Sequence, residues 1–147
     1  MGSMNLPSAG TVYLDANCAI YSVEKHPDYW PLLIPVWQAA ASKSIEIITS
    51  DLTLMETLIV PLRAGNSLHV AAYESLFKQP QTRMVPISQA ILREAAAIRA
   101  AAKIKTPDAI HAATARLLGV KLILTNDAGF KSVPLPPVVV LKDLLSP

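Results

Sequence analysis

Five short apolar runs alternate with segments of helical character, and this alternation constrains the fold of the chain more than any other feature. The runs are bounded by turn or cap residues, as is typical of strands buried in a sheet. Strands that alternate with helices favour a parallel sheet covered by helices on both faces. We therefore predict an α/β fold, a three-layer α/β/α sandwich with a central, mainly parallel sheet. The predicted strands are 11–14, 45–49, 84–87, 120–125 and 138–141.

The predicted helices between these strands begin at polar cap residues. Asp28 is expected to cap a helix over 28–43 that is kinked at Pro35, because an interior proline removes one backbone hydrogen bond. Ser50 and Ser88 are expected to cap two later helices. A helix is also expected to start after Asp15, and the remaining helices are predicted over 51–63, 67–77, 89–102 and 106–118, with a single turn at 142–145.

Length and composition predict one domain over residues 4–147, since the chain is long enough for one sizeable core and shows no linker or repeat. Residues 1–3 resemble an expression scar and are left out of that domain. No charge-free stretch exceeds 14 residues, whereas a membrane helix needs roughly 20 apolar residues, so no membrane segment is predicted. With a single cysteine, Cys18, and no visible secretory signal, a reducing cytoplasm is the expected location. Cys18 itself is predicted to be a small core residue.

The helix predicted over 106–118 begins by presenting a carboxylate. Thr106 is expected to be its N-cap and Pro107 its first residue, so Asp108 falls in the first turn, beside the positive end of the helix dipole. Acids are common at such positions because of the dipole alone. Asp108 therefore gains functional meaning only if other acids lie near it.

Three other acids are placed so that they could join Asp108. Asp15 and Asp127 each follow a predicted strand, and the carboxyl ends of parallel strands meet at one edge of a sheet, where open α/β sheets place their sites. Glu56 lies on a helix after another strand, and the register of that helix decides whether it faces the site. Because burial of an unpaired carboxylate is costly, Glu56 is expected either at a solvated edge or bound to something positive.

Such a cluster of carboxylates predicts a bound cation. Acids within a few ångströms of one another repel, so some stay protonated or a positive ion lies among them. Oxygen ligands without a histidine or cysteine cluster favour Mg²⁺ or Mn²⁺ over zinc. Since these ions bind phosphate oxygens and activate water, the predicted chemistry is metal-assisted hydrolysis of phosphodiester bonds.

Four segments of the chain resemble the PIN-domain ribonucleases and, among them, the VapC-type toxins of toxin–antitoxin systems. Each motif is weak alone, but their order and spacing extend over nearly the whole chain. The matching segments are Leu14–Asn17, Ser50–Glu56, Thr106–Ala115 and Leu124–Phe130. The resemblance implies an Mg²⁺- or Mn²⁺-dependent endoribonuclease that hydrolyses RNA. It also implies a catalytic and metal-binding site made of Asp15, Glu56, Asp108 and Asp127.

The resemblance further implies supporting residues and partners. Asn17 and Thr125 are expected to support the acids or to contact substrate. The expected partners are RNA, a second copy of the chain in a homodimer, and a small VapB-type antitoxin whose tail covers the active site. A basic group is interpreted either as a set of RNA phosphate contacts or as a solvated helix face, and both interpretations stay open. Its members are Arg93, Arg99, Lys103 and Lys105.

Other residues receive less prominent interpretations. Many relatives carry a further acid just before Phe130, where this chain has Gly129, so the sequence predicts no particular number of metal ions. His111 is expected to be a structural hydrogen-bonding residue on a packed helix. Tyr21 and Tyr73 are expected in the core or in a dimer contact rather than stacked on bases.

Two alternative functions stay open for a chain with these motifs. One is a PIN-fold nuclease that processes RNA outside a toxin–antitoxin pair, and the other is a non-catalytic PIN-fold interaction module. The presence of all four acids argues against the second. Phosphatases that use an aspartate after the first strand fit poorly, because they usually carry a second aspartate two residues later, where this chain has Asn17.

Overall fold

A computed structural model describes residues 4–145, over which five strands, six α-helices and two 3₁₀ segments follow one another. Residues 1–3, the expected scar, and residues 146–147 of the expected domain lie outside the described residues. The 3₁₀ segments cover Ala128–Ser132 and Leu141–Leu144, and the second includes most of the single turn predicted at 142–145. The regular elements are β1 (Thr11–Leu14), α1 (Ala16–Glu24), α2 (Trp30–Ala41), β2 (Glu46–Ser50), α3 (Asp51–Ala64), α4 (Ser67–Phe77), β3 (Thr82–Val85), α5 (Gln89–Ala101), α6 (Thr106–Leu118), β4 (Leu122–Thr125) and β5 (Val138–Val140).

The five strands form one sheet in the order β3-β2-β1-β4-β5, and all four pairs are parallel. β1 lies in the centre, where Val12 is opposite Ile47 on one side and Leu122 on the other. The register of Leu14 with Leu124 brings the residues that follow β1 beside the end of β4. The predicted parallel sheet is thereby confirmed, and its carboxyl edge gathers the segments that carry the candidate acids.

Helices cover both faces of the sheet, which confirms the predicted three layers. Alternate residues of a strand point to opposite faces. On one face Val12 and Leu14 belong to a core with Cys18 of α1 and Leu33 of α2. On the other face Tyr13, Ile48 and Ile123 pack with Ala115 of α6, and α5 packs on α6. Helices α3 and α4 pack on each other and on α1, and α4 also contacts β3.

Three local predictions were wrong. The second helix begins at Trp30 rather than at Asp28, and its N-cap, Tyr29, makes no side-chain cap hydrogen bond. The helix starts here because Pro31 suits its first turn, where a missing N–H costs nothing. Lys105, not Thr106, is the N-cap of α6. The third strand is Thr82–Val85 rather than 84–87, because Pro86 has no N–H to donate to a ladder.

Apolar side chains stay exposed on α3 and α4. We call this group the α3–α4 apolar surface, and its members are 42% to 81% exposed: Met55, Ile59, Val60, Leu62 and Leu68. Several exposed apolar side chains on two helices that pack together are typical of a contact site for another protein. None of the helices within residues 4–145 has the length and apolar character needed to cross a bilayer.

Candidate active site

Asp15 lies at the end of the central strand and is almost completely buried, with 5% of its surface exposed. It is the N-cap of α1: its Oδ1 accepts a hydrogen bond from the Cys18 backbone N–H at 3.1 Å. Its Oδ2 accepts a second one from the Thr125 hydroxyl at 2.5 Å. Burial raises the pKa of the Asp15 carboxyl, while these donors and the nearby His111 oppose that rise. Asp15 is thus a carboxylate held in one orientation but poorly solvated.

Thr125 connects Asp15 to Asp127. Besides donating to Asp15, its hydroxyl oxygen accepts a hydrogen bond from the Asp127 backbone N–H at 3.0 Å. Asp127 caps the following 3₁₀ segment, because its Oδ1 accepts from the Gly129 N–H at 2.8 Å. A Cβ at position 129 would lie 3.0 Å from that same oxygen. The glycine therefore lets the backbone approach the Asp127 carboxylate closely.

Asp108 and Asp127 share a site at the start of α6. Burial and the adjacent Asp127 carboxyl raise the pKa of Asp108 to about 7, and Asp15 adds to the rise. The pKa of Asp127 is lowered, first by the Gly129 N–H and then by hydrogen bonding with Asp108. The physical cause is the repulsion of close carboxylates: the more buried partner keeps a proton, and the partner with a backbone donor stays charged.

Glu56 reaches this group of acids through a histidine. Its Oε1 is 2.6 Å from His111 Nε2, and His111 lies three residues after Asp108 on the same face of α6. His111 Nδ1 in turn is 2.6 Å from the Tyr13 hydroxyl. The expectation that Glu56 contacts something positive or stays at a solvated edge fits this arrangement, since its side chain is 26% exposed.

The structure therefore brings Asp15, Asp108 and Asp127 together directly and attaches Glu56 through His111. In the described part of the chain, residues 4–145, no three His, Cys, Asp or Glu side chains are arranged closely enough to hold a metal ion. The arrangement that is present is a group of acids in which Asp108 and Asp127 shift each other's pKa in opposite directions, so that Asp108 retains a proton more readily. A cation in place of that proton would draw the same oxygens around itself.

The other predicted residues occupy different positions around these acids. Asn17 is exposed in the first turn of α1, just beyond Asp15. Lys105 lies close enough to Asp127 for its charge to lower the pKa of that carboxyl, and so does Lys142. Arg99, Lys103 and Lys105 line an open depression of about 430 Å³.

Two of the predicted basic residues have local protein partners. Arg99 donates to the Ile104 carbonyl at 2.9 Å and to the Thr106 hydroxyl at 2.8 Å, so it also holds the connection between α5 and α6. Arg93 donates to Gln89 on its own helix at 3.2 Å and is not part of the depression. The structure thus divides the group, with Lys105 nearest to the acids.

Sequence analysis missed Tyr13 and Asn126. The Asn126 side chain donates to the Tyr21 hydroxyl at 3.1 Å and accepts from the Lys142 N–H at 2.8 Å, which connects the loop before Asp127 to α1 and to the C-terminal segment. A signal for Tyr13 was present, because it is a polar group in an apolar strand two residues before Asp15.

Tyr73 is fully buried and its hydroxyl donates a hydrogen bond to Glu24, which confirms a core position.

Cys18 is fully buried, and its Sγ lies 3.4 Å from the Leu124 carbonyl oxygen. Burial raises the pKa of its thiol well above the usual value, and the nearby Asp15 adds to the rise. Because a thiol must ionise to act as a nucleophile, this cysteine is confirmed as a core residue.

Comparison with solved structures finds toxin–antitoxin proteins with this fold. VapBC2 from Rickettsia felis, bound to a DNA fragment from its promoter, is 17% identical with a TM-score of 0.71, covering 88% of this chain and 97% of that one. A toxin–antitoxin complex from Klebsiella pneumoniae is 24% identical with a TM-score of 0.65, covering 88% and 97%. VapC20 from Mycobacterium tuberculosis, a toxin that cleaves the sarcin–ricin loop, is 17% identical with a TM-score of 0.67, covering 86% and 99%.

At these identities the structural likeness establishes the fold. Comparison with curated protein sequences finds no significant match. The family model of the PIN domain, however, matches residues 12–135. That range runs from the second residue of β1 to beyond β4 and contains all four candidate acids, so the match includes four of the five strands and the site at their carboxyl edge. On this evidence the chain belongs to the PIN domain family.

Proposed function

We propose that this protein is a divalent-metal-dependent endoribonuclease that hydrolyses RNA phosphodiester bonds, and that it is the toxin of a toxin–antitoxin pair. The observation that carries the nuclease proposal is the convergence of Asp15, Asp108 and Asp127 at the carboxyl edge of the sheet. Close carboxylates in a PIN domain are a suitable site for a cation that binds phosphate.

The donor set fits Mg²⁺ or Mn²⁺. All four candidate groups supply hard oxygen ligands, and the Asp108–Asp127 pair holds a proton that a cation can replace. Asp15, Asp108 and Asp127 would hold the ion, directly or through water, with Glu56 at its periphery. When bound, the ion activates water for attack and neutralises charge that develops on the phosphate.

The residues of the chain contribute orientation and charge. Thr125 and the Cys18 N–H hold both oxygens of Asp15, and the Gly129 N–H holds one oxygen of Asp127, so neither carboxylate has to reorganise when substrate binds. Glu56 has one oxygen on His111, and its second oxygen would accept the proton of the attacking water.

Cations near the acids support RNA as the substrate. The charges of Lys105 and Lys142 help to lower the pKa of Asp127, and Lys103 extends the basic surface along the depression before α6. Phosphate contacts of this kind orient a strand without reading its sequence. We assign the Lys103–Lys105 side to the substrate backbone, with Arg99 contributing its remaining N–H groups, and give Arg93 no part in it.

The toxin assignment is supported by the α3–α4 apolar surface and by the structural neighbours, several of which are toxin–antitoxin assemblies. We propose that a second copy of the chain or a VapB-type antitoxin covers this surface in a cytoplasmic complex. Growth arrest on expression, relieved by co-expression of a small open reading frame found directly upstream, would support a toxin. An active nuclease whose expression leaves growth unchanged would favour RNA processing instead.

Cleavage of cellular RNA tests the nuclease. Purified protein is incubated with total RNA and Mg²⁺, Mn²⁺ or EDTA, beside Asp108→Asn and Asp51→Asn. Asp51 is the matched control because it is an exposed acid in the first turn of α3, as Asp108 is an acid in the first turn of α6. We expect metal-dependent cleavage by the wild type and Asp51→Asn, and none by Asp108→Asn. Full activity of Asp108→Asn would refute the mechanism, and metal binding without cleavage would favour a non-catalytic module.

A further inference from the structure

A chain of three side chains connects the central strand to Glu56 through the interior. Tyr13 is fully buried and His111 is 2% exposed. The hydrogen bond between Tyr13 and His111 and the one between His111 and Glu56 are both 2.6 Å long. The two rings meet edge to face with centroids 5.8 Å apart. Such short hydrogen bonds to two buried rings restrict both of them, because a buried polar group left without its partner costs free energy.

The direction of the two hydrogen bonds follows from their ends. The Glu56 carboxylate only accepts, so the proton between it and the ring belongs to His111 Nε2. At the other end, burial and the nearby Asp15 keep the Tyr13 hydroxyl protonated, since both raise its pKa. The protonated Tyr13 hydroxyl is therefore a hydrogen donor within reach of His111 Nδ1, 2.6 Å away. The two contacts together therefore favour a proton on the His111 nitrogen that faces Glu56, Nε2.

The hydrogen bonds among Tyr13, His111 and Glu56 leave one Glu56 oxygen available. Oε1 is occupied by His111, and no other residue within 4–145 donates a hydrogen bond to Oε2. The imidazole lies one helical turn after Asp108 on α6, and it is also near Asp15. Glu56 is therefore held at the border of the acid group, with a single oxygen facing solvent or a ligand.

We propose that Tyr13 and His111 are positioning residues: Tyr13 fixes the His111 ring so that Nε2–H faces Glu56, and His111 holds Glu56 so that its free oxygen points toward the reacting phosphate. This proposal rests on the proposed nuclease function. It assigns His111 a part in the reaction, whereas the sequence predicted a structural residue only. Partners of this kind orient a functional carboxylate by removing its rotational freedom.

A matched pair of tyrosine variants separates positioning from stability. Tyr13 and Tyr73 are both fully buried, and Tyr73 donates to Glu24 at 2.5 Å, away from the acids. Tyr13→Phe and Tyr73→Phe each remove one buried hydroxyl, so both are expected to melt at a lower temperature. Only Tyr13→Phe is expected to lower kcat, by roughly tenfold with KM nearly unchanged. Equal kcat values for Tyr13→Phe and the wild type would overturn the proposal.

A second pair tests the histidine. His111→Gln keeps an N–H donor for Glu56, whereas His111→Leu removes it, so the glutamine variant is expected to retain clearly more activity than the leucine variant. Equal loss in two variants that both fold would contradict the proposed role of the Nε2–H group.

Nitrogen-15 NMR of the histidine rings gives a readout that is independent of activity. The His111 signals are assigned by their loss in His111→Gln, and we expect a proton on Nε2 in the wild type and a mixture of tautomers in Tyr13→Phe. A wild-type ring without a proton on Nε2 overturns the proposal whether or not the protein cleaves RNA. If the wild type proves inactive, the proposed function and the positioning role of His111 in the reaction both fail. The spectrum then still shows whether the hydrogen bonds from Tyr13 to His111 and from His111 to Glu56 are present.

Discussion

Replacing Asp108 with asparagine is expected to make the metal-free protein more stable at alkaline pH. Burial of Asp108, together with the adjacent Asp127 carboxyl that repels it, raises the pKa of Asp108 from 3.8 to about 7. An asparagine is nearly isosteric, carries no charge and offers the Asp127 carboxylate an N–H donor. The variant therefore removes the repulsion without opening a cavity.

The magnitude follows from the pKa shift. A rise of about three units corresponds to about 4 kcal/mol at roughly 1.4 kcal/mol per unit. Asp108 is only half-buried, so solvent screening reduces the effect to about 1–2 kcal/mol. In a chain of this size that gain corresponds to roughly 3–6 °C in melting temperature.

The sign depends on pH. A carboxyl whose pKa is raised in the folded state contributes its stability fully below the unfolded value and loses it as pH rises through the folded value. Wild-type stability in EDTA should therefore fall between about pH 4 and pH 7 relative to Asp108→Asn. At pH 8 the variant should be more stable, and near pH 4 the difference should vanish. With Mn²⁺ the order should reverse at pH 8, because only the wild type keeps the full ligand set.

Urea unfolding monitored by circular dichroism at pH 4.5 and pH 8, with EDTA or Mn²⁺, measures these differences. Asp51→Asn is the control, since it removes an exposed acid from a helix start, where its charge favours the helix dipole, and it should not be stabilised. A variant Asp108→Asn that is less stable than the wild type at pH 8 in EDTA would refute the reasoning. So would a stability gain that is the same at both pH values.

Three further results are expected. Native Cys18 should resist alkylation at pH 8 and react only after unfolding, because its thiol is buried and its pKa is raised; rapid labelling would contradict this. Gly129→Ala should fold but lower kcat several-fold, since its Cβ would displace the Asp127 carboxylate. Lys105→Ala should weaken RNA binding in filter assays and reduce the salt slope by about one, whereas Arg93→Ala should leave both unchanged.

The candidate acids were predictable because each depends on a local feature. Asp15 and Asp127 follow short apolar strands, and Asp108 lies in a first turn marked by Pro107. Parallel strands then bring these positions to one edge of the sheet without any further information. The errors at Asp28 and Thr106 have the same local origin, since a good cap residue beside a helix start competes with its neighbours and shifts the boundary by one or two positions.

The sequence by itself determined the alternation of strands and helices, the parallel sheet and the approach of the three aspartates, because these follow from periodicity and chain direction. Only the tertiary structure decided how Glu56 joins them. Tyr13 and His111 are 98 residues apart, and His111 and Glu56 are 55 apart. Their hydrogen bonds exist because α3 and α6 both pack on β2. Helix packing depends on the shapes of many side chains at once rather than on any local pattern.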